Sequence, residues 1–169
     1  MSALLVFDST HQRPVFDLVV ATLWADGHVA DREIAAAHGA QLALGLVHPA
    51  DEASAAIARG PRHPNDERAA WRTLGAAPER ARVLAYAAAV WTALADGVID
   101  PSEADFLREV RRALALDDGA VRFADGLARW IDAGAREEEL PWHRAVARLV
   151  VEGARRLERV RARRLEAAA

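Results

Sequence analysis

The sequence predicts an all-α fold of two related helical repeats, and three observations carry that prediction. Alanine is abundant while Thr, Ile and aromatic residues are few, so strand formers are scarce. Apolar residues recur at helical spacing, and no run shows sustained two-residue alternation. Finally, Ala95-Asp96-Gly97-Val98-Ile99-Asp100-Pro101-Ser102-Glu103 repeats Ala25-Asp26-Gly27-His28-Val29-Ala30-Asp31-Arg32-Glu33, 70 residues earlier. The same ungapped offset pairs Val20 with Val90, Thr22 with Thr92, Leu44 with Leu114 and Leu46 with Leu116, which marks an internal duplication. At 169 residues the chain fits one domain and can bury a core without staples.

Taken in order, residues 1–13 form a lead-in whose Leu4, Leu5, Val6 and Phe7 dock onto the body. Repeat one covers about 14–59. Its first helix starts near Pro14, shows Phe16, Val19, Val20 and Leu23 on one face, and stops at Gly27. A second helix follows over Asp31–Leu44, and after Gly45 and Pro49 an Ala-rich third helix runs through Ile57. The connector, about 60–77, opens with Gly60-Pro61-Arg62-His63-Pro64-Asn65, where Asn65 can cap a short helix holding Trp71 and Leu74. Repeat two covers about 78–133. It holds the strongest helical pattern (Val83, Leu84, Ala87, Val90, Trp91, Leu94), then a helix with Phe106, Leu107, Val110 and Leu114, then one with Phe123, Leu127, Trp130 and Ile131. A last helix, about 141–165, places Val146, Leu149, Val150, Leu157 and Val160 roughly on one side. The five tryptophans fit helix packing better than a base-stacking platform.

Composition excludes several functions. There is no cysteine, so disulfides and thiolate metal sites are ruled out. No apolar stretch approaches the length of a membrane span, and no secretory leader is evident, so a cytoplasmic protein is expected. The sequence contains no phosphate-binding Gly loop, no Gly-x-Ser-x-Gly elbow and no His-His zinc pair. A non-enzymatic role is the expectation. All 22 basic residues are arginine, a composition that fits a GC-rich genome. Residues 153–169 hold six Arg and two Glu, a net +4, which leaves −7 on residues 1–152.

The repeated stretch has the chemistry of a helix-helix corner. Gly97 suits the left-handed stop of one helix, and Asp100, Pro101 and Glu103 suit the cap, first position and capping box of the next. The first copy has Ala30 at the cap and is the weaker one. Asp96 and Asp26 sit at helix C-termini, where the dipole disfavours a carboxylate by roughly 0.3–1 kcal/mol. Each therefore calls for a compensating cation, arginine or turn N–H. The spacing matches the second half of an EF-hand loop, but Thr22 and Trp24, or Thr92 and Leu94, stand where its first ligands belong. Two readings remain open: turn chemistry, or a divalent cation (calcium or magnesium) held by Asp26, Glu33, Asp96 and Glu103, with Asp31 and Asp100 as further candidates.

At these residues, from Thr92 through Glu103 and on to Leu114-Ala115-Leu116-Asp117-Asp118, the sequence resembles the tellurite-resistance TerB-like family, and the first copy resembles it more loosely. The resemblance implies a duplicated all-α domain with an acidic surface (Asp26, Asp31, Glu33, Asp96, Asp100, Glu103) that contacts metal or partners. It further implies a stress-response role with a protein partner, often membrane-associated, at the inner membrane face. A related domain precedes a J domain in a chaperone partner, but His48-Pro49-Ala50 and His63-Pro64-Asn65 lack the Asp such a domain needs. The alternative is an assembly protein docking through Arg155, Arg156, Arg159, Arg161, Arg163 and Arg164 onto membrane, nucleic acid or another subunit, with nucleic acid the least favoured partner.

Overall fold

The computed structural model describes residues 7–46, 57, 59, 60 and 64–167, and among them all regular structure is helical. In chain order the helices are α1 Ser9–Leu23, α2 Asp31–Ala43, α3 Pro64–Gly75, α4 Glu79–Ala93, α5 Pro101–Ala113, α6 Asp118–Glu137 and α7 Trp142–Ala167. The duplication holds to the residue. The bounds of α1 and α4 differ by 70 at both ends, and so do those of α2 and α5.

Helix α4 is apolar around its whole circumference and forms the axis of the molecule. From Val83 to Ala93 every side chain is buried, and α4 packs against each of the other six described helices. Its partner α1 buries Val15, Phe16 and Leu18 to Leu23, while α5 and α6 are amphipathic and bury one stripe each. Helix α7 lies chiefly along α2. The approach is close at Gly39, where a Cβ would stand 2.7 Å from backbone atoms of Trp142 and His143.

Several expectations need correction. Helix α1 begins at Ser9, not near Pro14, because Asp8 caps it by accepting from Thr10 and His11 N–H groups. Pro14 sits inside the helix, and repeat one therefore reaches further upstream than residue 14. Helix α3 begins at Pro64, so Asn65 lies in its first turn and is not its cap. Trp130 is 38% exposed rather than core, with the Arg148 and Arg156 guanidiniums over its ring at 5.2 and 3.9 Å from the centroid. Phe7 is buried as expected, and Ile57 is buried as well. The docking of Leu4, Leu5 and Val6 and the Ala-rich helix before Ile57 lie outside the described residues.

Candidate functional site

Each corner is built the same way. At the end of α1, Gly27 takes φ +81°, and Asp26 accepts the His28 N–H at 2.8 Å. At the end of α4, Gly97 takes φ +107°, and Asp96 accepts the Val98 N–H at 3.0 Å. The turn's own N–H group is thus the partner that offsets an Asp at the negative end of a helix dipole. The next helix is then held from inside. Glu103 Oε2 accepts the Asp100 N–H and Asp100 accepts the Glu103 N–H, both at 2.9 Å, which completes a capping box. In the first copy Glu33 Oε2 accepts the Ala30 N–H at 2.6 Å, but Ala30 has no acceptor to return, so only half of the box forms.

Thr22 and Thr92 close the EF-hand question. Both are buried, and their hydroxyls donate to the carbonyls of Leu18 and Ala88, four residues back, at 2.8 and 2.9 Å. They belong to the helices and do not open a ligand loop.

The charges of the two corners reach one another. Glu33 and Glu103 are 8% and 5% exposed. Burial pushes the Glu103 carboxyl up to about 7, with Asp100, Asp96 and Glu33 adding repulsion. Burial likewise raises Glu33, and Asp26, Asp96 and Asp100 add to it. Asp26, Asp31 and Asp96 are exposed, and Asp100 is half-buried. None of these six carboxylates is ion-paired with a described residue. They share a pole of the molecule, yet among the described residues no three of His, Asp and Glu are gathered closely enough to hold a metal ion.

Sequence reasoning missed the residue that braces the second corner. Arg136, on α6, donates from Nη2 to the Leu94 carbonyl at 3.0 Å and from Nε to Asp132 at 2.9–3.0 Å. A cation thereby sits on the C-terminus of α4, its favoured place. The Asp132–Arg136 spacing of four was legible in the chain, but nothing local points from it to Leu94, 42 residues away. Arg136 also lines a cleft of about 510 Å³ that runs from Arg32 beside the first corner to Ala95 at the second.

The basic candidates lie elsewhere. Arg155 pairs with Glu152 at 2.8 Å, Arg156 covers Trp130, and Arg159, Arg161 and Arg163 are exposed on the end of α7; the side chain of Arg164 is outside the described residues. No described helix is long and apolar enough to cross a membrane.

With this geometry in place, the chain can be compared with known proteins. A family model described as "Tellurite resistance protein TerB" matches residues 12–125, about two thirds of the chain, spanning both corners and stopping within α6. No curated protein and no solved structure matches.

Proposed function

The chain belongs to the tellurite-resistance TerB family, and from that premise we propose that it is a non-enzymatic stress-response module whose duplicated acidic corners bind a protein partner. The observation that carries this reading is the set of six carboxylates, two of them buried and raised by the charges of the other corner, that find no ion-pair partner among the described residues. A partner presenting Arg or Lys supplies the missing charge at the exposed Asp26, Asp31 and Asp96. The membrane-associated partners of related proteins suggest that it works in the cytoplasm, at the inner membrane face.

A divalent cation, calcium or magnesium, is the second reading. It is favoured by the repulsion that Asp100, Asp96 and Glu33 add at Glu103, which a cation would relieve; since no three described ligands are gathered to hold it, water would supply most of its shell. Arg155, Arg156, Arg159, Arg161, Arg163 and Arg164 offer a separate docking surface.

One pair of variants tests both readings. Asp26→Asn/Asp96→Asn removes charge while keeping the oxygen that accepts the turn N–H. Partners captured from cell extract by the parent in chelator should be lost by this variant; an unchanged set of partners would overturn the assignment. Thermal unfolding with added calcium or magnesium then decides the cation. A rise of several degrees in the parent that is absent in Asp96→Asn/Glu103→Gln supports it, and no rise removes it.

A further inference from the structure

The end of α7 is unlike the rest of the surface. The helix continues ten residues past Leu157, about 15 Å, and from Glu158 to Arg163 every side chain is exposed. Arg155, Arg159 and Arg163 recur every four residues along one stripe, away from the stripe where Val146, Leu149 and Val150 are buried. Glu158 is occupied by Arg80 at 3.0 Å, which fixes this end beside the start of α4. Arg159, Arg161 and Arg163 make no ion pair with any described residue.

The unpaired carboxylates stand at the other end of α4, where the second corner begins. The 15 residues of α4 separate the two sites by about 22 Å, more than twice the screening length in physiological salt. Because α7 is packed along the body, its tip cannot fold over to reach the corners. One molecule thus carries unpaired positive charge at one pole and unpaired negative charge at the other, with no internal means of joining them.

We propose that the basic end of α7 docks on the acidic pole of a second copy, so that copies associate head to tail. Charge complementarity selects this occupant over other acidic surfaces. Nucleic acid or anionic lipid would attract the tip but would also meet a body carrying −7 over residues 1–152, whereas a second copy offers that acidity as the binding surface. The contact is heterologous, since different patches meet. Each added copy leaves one free tip and one free corner pole, and growth continues with concentration unless the rotation closes a ring. The tip lies outside the matched residues 12–125, so the device is an addition to the family unit. It rests on the proposed function in one respect only, that the corners accept cationic partners.

Sedimentation velocity of the full chain tests the proposal. At about 50 mM salt the average mass should exceed that of the monomer and rise with concentration, and it should collapse to the monomer at about 500 mM. Arg159→Glu/Arg161→Glu/Arg163→Glu keeps an intact corner, and Asp26→Arg/Asp31→Arg/Asp96→Arg keeps an intact tip. Each alone should be monomeric, and a mixture should pair, because the intact corner of one meets the intact tip of the other. If the corner variant loses helicity, the tip variant titrated with parent gives the same reading, since its corner still accepts the parent's tip. A parent that is monomeric at low salt overturns the proposal, as does association that survives tip reversal or a mixture that fails to pair. Binding of monomeric protein to anionic vesicles or duplex DNA, lost on tip reversal, would assign the tip to that surface instead. If self-association fails while Asp26→Asn/Asp96→Asn still loses its partners, only this inference falls; if those partners persist as well, the proposed function falls with it.

Discussion

At the residue scale, the corner carboxylates divide by burial into two kinds. Asp26 and Asp96 are exposed and serve the turn, whereas Glu33 and Glu103 are buried and serve the following helix. The Asp–Gly spacing made all of them candidates. What the sequence did not convey is that Glu33 lies close enough to raise Glu103, and Asp96 and Asp100 close enough to raise Glu33, because that proximity comes from packing the two halves together. A pH dependence follows. Glu103 titrates near 7 in the fold against an ordinary value of 4.5. Below 4.5 both folded and unfolded chains carry the proton. Between these values the folded chain keeps a proton that the unfolded chain has released, so stability falls as pH rises, and above about 7 the loss is complete. Glu33 shifts in the same direction. Melting temperature should therefore decline across this window in the parent and decline less in Glu103→Gln. Equal slopes in the two proteins would show that Glu103 ionises normally.

At the element scale, the helices were legible, and so were the beginnings of α2 and α5, but the beginning of α1 was not. Pro14 looked like the start signal of the first helix, yet it lies inside α1, whereas Pro78 directly precedes α4. Asp8 caps α1, and the 70-residue offset from Glu79 to Ser9 was the better guide. The same offset exposes a weak point after α5. Gly45 takes φ +71° where α2 ends, with the Leu46 N–H reaching back to the Gln41 carbonyl at 3.1 Å. At the equivalent place Ala115 is held at φ +49°, with the Leu116 N–H reaching the Arg111 carbonyl at 3.1 Å. An L side chain in this conformation costs about 1–2 kcal/mol, of which glycine recovers part after its greater freedom in the unfolded chain. Ala115→Gly should stabilise the protein by up to about 1 kcal/mol, read as a higher midpoint in urea. A lower midpoint would mean that the Ala115 methyl makes contacts worth more than the strain.

At the scale of the whole molecule, charge and symmetry follow different boundaries. The duplication relates α1 and α2 to α4 and α5, and the apolar pattern with the repeated corner made it legible. Of the parts outside that symmetry, the second half of α6 and all of α7 were legible only as composition: an arginine-rich end after an acidic body. Their contacts could not be foreseen, because Arg136 and Trp130 act on residues far along the chain. Arg136 braces the second corner alone. Its donor reaches the Leu94 carbonyl, while the equivalent Trp24 carbonyl accepts, among the described residues, only the Gly27 N–H of its own turn. Hydrogen exchange should therefore be slower at Val98 than at His28, although each amide donates to the Asp of its own corner, and Arg136→Met should bring the two rates together. Two halves that share their helix bounds thus acquire a preferred order of opening, with the first corner yielding while the second still holds.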